Sequence, residues 1–411
     1  MIKIAFEYSE YNNTEDLIKG VVQITAPETQ QPKIHEIVLV VDLSGSMMQT
    51  LPLVKNLIEY MLEKFVNTAA CSIVGFKDTA DVYQKLQAIT KDNCPEIMNN
   101  VASLKAGGCT NLHTGLMLGL QQFSSNPKTV KSLLLITDGF ANVGMTSAPG
   151  IMKAVHDTKT TAIIYTIAIG TQCNHDLLAN MTEVGGGMYT PIRQQSELVG
   201  AMGGTLGAVF GTQMRNVLLS LPGTKNLSGY PETGEDILIG CLLGGEVISV
   251  PFQTQSAIVK CELSHSEGKS KLIEVTVPRG DNPKLNADIY AHILRGEVIK
   301  FLQDNKSATE KEAGVLLTRC LDQSGPVFSM LVQRLTRFIQ CSQEEREMIR
   351  QGAILELTRQ RSQAYEDTKD TMVPVLMRRF SHEARRFRDP QPQPKPESLA
   401  LPLTPPSLAR F

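Results

Sequence analysis

The chain has 411 residues, 42% of them hydrophobic, and a formal net charge of −2. That length exceeds one ordinary domain and predicts two or three, each able to bury a core. The near-neutral balance excludes bulk electrostatic attraction to nucleic acid or to a membrane surface, and no apolar run reaches the roughly 18 residues that a membrane span needs.

The opening residues, MIKIAFEYSE, alternate as a strand does and carry acids where a secretory leader would hold an unbroken apolar stretch. Two strands are expected here, over 2–8 and 19–24. The eight cysteines are scattered, with no C-x-x-C pair. Cys71, Cys241 and Cys261 fall in strand-like stretches and read as buried thiols, so the expected location is a reducing one, the cytoplasm.

The run Ile37-Val38-Leu39-Val40-Val41 reads as a buried strand and ends in Asp42-Leu43-Ser44-Gly45-Ser46-Met47. One carboxylate and two hydroxyls, spaced two apart, therefore share a turn before the next helix. That helix is expected over 51–65, where Val54, Leu57, Ile58, Met61 and Leu62 recur at helical spacing. Strands follow at 71–76 and 80–83, then a helix over 95–104. Gly107-Gly108-Cys109-Thr110-Asn111-Leu112 is a glycine-marked loop entering an apolar helix at 112–121, which leaves the Thr110 hydroxyl near a helix start. The strand at 133–137 ends in Asp138-Gly139. A helix at 149–158, a strand at 162–169, and helices at 176–184 and 197–209 complete the alternation that marks a parallel sheet with helices on both faces.

In such sheets the loops at the carboxyl ends of the strands converge on one crevice. Asp42, Ser44, Ser46, Thr110 and Asp138 are expected to meet there. Five hard oxygen groups suit a magnesium-sized cation, which takes near-octahedral oxygen coordination and keeps some water. Taken alone, Asp42 and Ser44 fit helix capping equally well; Cys109, a soft thiol, is no ligand for such an ion and is expected to pack behind the loop.

At these residues the chain resembles the von Willebrand factor A (VWA) family, whose metal-ion-dependent adhesion site has the form D-x-S-x-S, then T, then D. Gly170, Asp176-Leu177-Leu178 and Gly185-Gly186-Gly187-Met188-Tyr189 resemble the family's last strand, helix and closing strand, so the likeness spans about 35–205. It implies a Rossmann-like α/β fold, doubly wound with a mostly parallel sheet. It also implies a bound Mg²⁺, or Mn²⁺ or Ca²⁺, held directly by Ser44 and Ser46. Thr110 would bind directly or through water, and Asp42 and Asp138 through water or hydrogen bonds. The remaining position would take an Asp or Glu side chain of a partner protein. Met47, Met48, Phe140 and Met145 lie near the metal loops and are expected to form an apolar rim.

Beyond 211 the pattern changes to short strands at 215–221, 236–242, 246–251, 257–263 and 271–277, punctuated by Gly and Pro, as a β-sandwich requires. The strands of residues 1–34 would complete it, with the VWA domain (35–210) inserted and 211–281 as its second part. Helices are expected at 286–304, 309–322, 326–341 and 343–365, forming a helical bundle in 282–368 with Leu316, Leu317, Leu321, Leu331, Leu335, Phe338 and Ile339 in its core. Residues 369–411 hold the basic aromatic clusters Arg378-Arg379-Phe380 and Arg385-Arg386-Phe387-Arg388 and a Pro-rich stretch that reads as an extended tail.

Three functions compete. The first is a metal-dependent protein-interaction module. The second is an intracellular scaffold acting through the helical region and tail. The third is a Mg-dependent hydrolase, disfavoured because the dehalogenase-type nucleophile loop needs a second carboxylate where this chain has Ser44, and because neither serine sits in G-x-S-x-G. His113 reads as structural.

Overall fold

The computed structural model describes residues 6–9, 18–27, 34–193, 195–256, 258–266, 268–269, 272–276, 287–303 and 310–359. Two strands come first, β1 (Phe6–Ser9) and β2 (Ile18–Thr25), paired antiparallel. The chain then runs through β3 (His35–Asp42), α1 (Leu51–Phe65), β4 (Ala69–Phe76), β5 (Ala80–Ala88), α2 (Cys94–Ala102), α3 (Leu112–Leu120), β6 (Val130–Thr137), α4 (Ala148–Asp157), β7 (Ile163–Ile169), α5 (His175–Glu183), β8 (Tyr189–Ile192) and α6 (Leu198–Gly211).

These strands form one sheet in the order β5-β4-β3-β6-β7-β8, parallel except for β5, which returns antiparallel beside β4. Every residue of β3 is buried, as a strand covered on both faces must be. Its side chains alternate between two cores. Ile37, Leu39 and Val41 pack with Leu57, Ile58, Met61 and Leu62 of α1 and with Leu198, Met202 and Leu206 of α6. Val38 and Val40 pack with Leu116 of α3, Ile151 of α4 and Leu177 and Leu178 of α5. Burying one such side chain stabilises the fold by about 1.5–3 kcal/mol.

The order of the strands fixes where a ligand goes. From β3 the chain winds outward to β4 and β5, then crosses back to β6 on the other side of β3. The winding reverses between β3 and β6, and a crevice opens at their carboxyl ends. Asp42 ends β3, and Asp138 directly follows β6.

From α6 the chain passes without a linker into β9 (Thr212–Ser220), followed by β10 (Thr224–Asn226), β11 (Glu232–Thr233), β12 (Asp236–Leu243), β13 (Val247–Thr254), β14 (Ile258–His265), β15 (Gly268–Lys269) and β16 (Ile273–Thr276). Two further sheets result. One has the order β1-β2-β13-β10, the other β11-β12-β9-β14-β15 with β16 on β14. Val22 and Ile24 of β2 and Val250 and Phe252 of β13 share a core with Val217, Leu219, Ile237 and Leu263 of the second sheet. The α/β unit abuts this pair at Gly186, where an added Cβ would stand 2.5 Å from the Gly240 Cα; both glycines have positive φ, so the contact is closed to larger residues.

Helices α7 (Ala287–Gln303), α8 (Glu310–Leu321), α9 (Pro326–Gln340) and α10 (Gln343–Arg359) close the described chain. Leu331, Leu335 and Phe338 lie in their common core with Leu294 and Val298, while Leu316, Leu317 and Ile339 pack against it. Leu321 departs from expectation and is exposed, because the last turn of α8 directs Cys320 into the core and Leu321 away from it. Residues 369–411, with the basic clusters and the Pro-rich stretch, lie outside the described residues.

Candidate functional site

The predicted oxygen groups meet at the switch point, linked by hydrogen bonds that run from the core to the surface. The Asp42 carboxylate is fully buried: Oδ1 accepts from the Ser44 backbone N–H at 2.8 Å, and Oδ2 from the Thr137 hydroxyl at 2.6 Å. Ser44 Oγ lies 3.1 Å from Ser46 Oγ, and the Ser46 hydroxyl donates to Asp138 Oδ1 at 2.7 Å. Ser44 and Thr110 are buried, Asp138 is half-buried and Ser46 is exposed. One end of the array therefore opens to solvent.

Helix capping does not explain this turn. Ser44 precedes the short 3₁₀ turn Gly45–Met48 with extended backbone and makes no side-chain cap hydrogen bond; Thr50, before α1, makes none either. The Ser44 hydroxyl faces Ser46 instead, and the Thr50 hydroxyl accepts from Gln195 Nε2 at 2.9 Å.

Thr110 is brought in by backbone. The Gly107 N–H donates to the Leu43 carbonyl at 2.8 Å and the Gly45 N–H to the Gly108 carbonyl at 3.1 Å, which ties the second loop to the first. Asn142 ties it to the third: its Oδ1 accepts from the Thr110 N–H at 2.7 Å, and its own N–H donates to the Thr110 carbonyl at 3.0 Å. Asn111 caps α3 by accepting from the Thr114 N–H at 3.3 Å, so Thr110 sits just ahead of the helix as expected.

The donor set fits a hard divalent cation. A Cβ added to Gly139 would stand 3.7 Å from Thr110 Oγ1 and 3.9 Å from Ser46 Oγ, so the absent side chain leaves space between two candidate ligands. Burial pushes the Asp42 carboxyl up from its ordinary value; hydrogen bonds from Thr137 and Ser44 oppose this, and the charge of Asp138 adds to it. Burial likewise raises Asp138, against the hydrogen bond from Ser46. Two carboxyls pressed toward protonation, with hydroxyls rather than basic groups as partners, are arranged for a cation to settle them. Among the described residues no three His, Cys, Asp or Glu gather as a metal cluster; the donors here are mostly hydroxyl.

The sequence profile of the von Willebrand factor type A domain matches residues 35–190. This chain carries a von Willebrand factor type A domain. Domains of this type generally mediate protein–protein interactions. Among curated proteins the chain is similar to inter-alpha-trypsin inhibitor heavy chain H2 of Sus scrofa, 22% identical over 49% of this chain and 23% of that protein. The mouse (Mus musculus) protein of the same name is 24% identical over 49% of this chain and 22% of its own length. The match thus spans under a quarter of those relatives. Two solved structures share the fold across more of the chain. A von Willebrand factor type A protein from Catenulispora acidiphila has a TM-score of 0.64 at 15% identity, covering 87% of this chain and 97% of that one. The ArnB paralog VWA2 from Sulfolobus acidocaldarius has a TM-score of 0.57 at 15% identity, covering 87% and 98%.

Around the VWA site two expectations change. Met47 is fully buried in the core beneath α1, because the 3₁₀ turn points one of two adjacent methionines inward; Met48 is exposed, with Phe140 and Met145. Cys109 does not pack behind the loop but is exposed, its N–H donating to Asp78 Oδ1 at 3.3 Å. Cys71, Cys241 and Cys261 are buried as expected. Thr137, Asn142, Gly139 and Asp78 support the site and were not singled out from sequence. The one signal available was Thr137, a hydroxyl at a strand end directly before Asp138. No helix among the described residues is long and apolar enough to cross a membrane.

Proposed function

We propose that the VWA domain is a non-enzymatic, divalent-metal-dependent interaction module that grips an acidic side chain of a partner protein. Ser44, Ser46 and Thr110 are the direct ligands in this reading, with Asp42 and Asp138 acting through water or hydrogen bonds. Mg²⁺ is the proposed ion, and Mn²⁺ and Ca²⁺ suit the same oxygen donors. The observation that carries the reading is the Ser44–Ser46–Asp138 chain of contacts, buried at one end and exposed at Ser46, which joins two loops 92 residues apart in sequence. With few charged ligands the ion stays electrophilic, and an incoming carboxylate completes it. Ser44 Oγ pairs with a hydroxyl rather than an imidazole, which supports binding over nucleophilic chemistry.

The proposal has two further parts. The described strands within residues 1–34 and 211–281 form one β-sandwich into which the domain at 35–210 is inserted; the pairing of β2 with β13 supports it. The setting is cytoplasmic, supported by the burial of Cys71, Cys173 and Cys261, whose thiols are each pushed up to about 12 by burial.

The test is Mn²⁺ binding by electron paramagnetic resonance, followed by retention of partner proteins on the immobilised chain in Mg²⁺ or chelator. Saturable binding that Ser44→Ala weakens at least tenfold, with partners eluted by chelator, is expected. Retention indifferent to chelator, with no Mn²⁺ bound at millimolar concentration, defeats the reading in favour of a scaffold.

A further inference from the structure

We propose that the partner's carboxylate arrives in an apolar setting: the metal face takes a single Asp or Glu flanked by aliphatic or aromatic side chains, not an acidic cluster. This rests on the metal-site reading above and adds the chemistry that surrounds the gripped carboxylate.

The argument begins with what is exposed. Met48 is 65% exposed, Phe140 51% and Met145 39%. All three belong to the loops that carry the metal groups. Met48 is two residues beyond Ser46, and Phe140 directly follows Gly139, which faces Thr110 Oγ1 and Ser46 Oγ. Met145 follows Gly144, which lies against the Asn111 side chain next to Thr110. Loop residues of this size are left in water at a cost of about 25 cal/mol per Å² that a partner could bury. Thioethers adapt to irregular apolar surfaces, and methionine and aromatic side chains are enriched at the centres of protein interfaces.

Charge decides between the two kinds of acidic partner. Residues 43–54, 106–112 and 139–152 contain no Lys, Arg, Asp or Glu. Asp42 and Asp138 offset part of a divalent ion's charge from behind the hydroxyl ligands, so one incoming carboxylate completes the ion and a second is not attracted at long range. The carboxylate of Asp78, beside Gly108 and Cys109, would oppose further acids. An apolar ring that sheds water around the metal–carboxylate contact strengthens it by lowering the local dielectric. An apolar-flanked acid meets each of these conditions, and an acidic run meets none.

A phage-displayed library with a fixed central glutamate and randomised flanks, selected on the full chain in Mg²⁺ and eluted with chelator, tests this. Expected is enrichment of Leu, Ile, Val, Phe and Met next to the glutamate, at least threefold over the starting library. The enrichment should be lost on the Met48→Ser, Phe140→Ser double variant while that variant binds Mn²⁺ as the unchanged protein does. Flanks enriched in acids, flanks without apolar enrichment, apolar enrichment that survives in the double variant, or the absence of chelator-eluted peptides despite normal Mn²⁺ binding each overturns the inference alone. Failure of the unchanged chain to bind Mn²⁺ overturns the metal reading and this inference with it.

Discussion

Asp42 and Asp138, at the loop end of the VWA sheet, and Asp176 and Glu347, between α5 and α10, are both pairs of crowded carboxylates, but the second pair holds a guanidinium. Arg350 is almost fully buried. Its Nη2 donates to Asp176 Oδ1 at 2.8 Å and to Glu347 Oε1 at 2.6 Å, its Nε to Glu347 Oε2 at 3.0 Å, and its Nη1 to the Leu302 carbonyl at 2.7 Å. Gln351 also donates to Asp176. Beside this cluster Arg193 pairs with Glu345 at 3.3 Å, and Gly352 lets α10 lie against Pro191 of β8. The α5–α10 cluster carries its own cation and is complete, so it works as a clasp between the VWA domain and the helices. At the sheet end hydroxyls stand where the guanidinium would, and under the proposed function the cation comes from solution. Like groups would then serve structure in one place and binding in the other.

The largest expected effect breaks the clasp. Arg350→Ala removes the charge shared by two carboxylates and the donor to Leu302, and losing one partner of a buried ion pair costs about 3–5 kcal/mol. Asp176 is half in water, which places the expected loss near the lower end, about 3 kcal/mol by urea unfolding. Mn²⁺ affinity should stay within about twofold of the original, since the clasp and the metal loops share no residue. A fall in Mn²⁺ affinity as large as the fall in stability would mean that the two regions are not separate devices.

The converse variant is Asp42→Asn. The amide oxygen can still accept from the Ser44 N–H, and the amide nitrogen can donate to the Thr137 hydroxyl oxygen, so the turn keeps its shape without the charge. Mn²⁺ affinity is expected to fall at least 30-fold, about 2 kcal/mol, with metal-free stability unchanged or slightly higher because burial disfavours the carboxylate. Stabilisation by Mg²⁺, about 2.7 kcal/mol at a hundred times the dissociation constant, should fall to about 0.9 kcal/mol or less at the same Mg²⁺ concentration in thermal unfolding. Gly139→Ala is a milder probe: its Cβ would make only ordinary contacts, yet it enters the space between Thr110 and Ser46. A loss of about tenfold in Mn²⁺ affinity with unchanged unfolding is expected; no loss would put the ion elsewhere.

The two regions also differ in how far they could be read from sequence. Asp42, Ser44, Ser46, Thr110 and Asp138 were legible because each sits at a strand or helix junction that local pattern reveals, and the winding of the sheet does the rest. The α/β fold was legible for the same reason, since β3, α1 and β6 state their periods plainly. Arg350 and Asp176 lie 174 residues apart on separate helices, and no local pattern links them. Asn142 was missed because its role is a pair of hydrogen bonds to the Thr110 backbone that exists only once the loops meet. Met47 was misplaced because adjacent residues of a turn look alike until the turn's direction is known.

The smallest expected effect sharpens the contrast through pH. Burial raises the Asp176 carboxyl from 3.8 to about 6, helped by its hydrogen bond and charge contact with Glu347 and opposed by Arg350. Although burial acts the other way on Glu347, hydrogen bonds from Asp176 and Arg350 bring it below its ordinary 4.5. The folded chain therefore takes up a proton at Asp176 near pH 6, while the unfolded chain takes it up only near 3.8. Between those values the native state binds more protons, so this group's contribution to stability rises as the pH falls and declines as it rises. Glu347 works in the opposite sense only below its ordinary value of 4.5, which leaves the window above that value to Asp176. Relative to Asp176→Asn, which cannot titrate, the unchanged protein should gain stability as urea unfolding is repeated from about pH 7.5 down to about pH 4.5. Exposure of Asp176 screens the gain to a fraction of the Arg350 effect. A difference between the two proteins that does not vary across that window would mean that Arg350 holds Asp176 ionised throughout, and the clasp would then be a simple ion pair rather than two acids sharing one proton beside a cation.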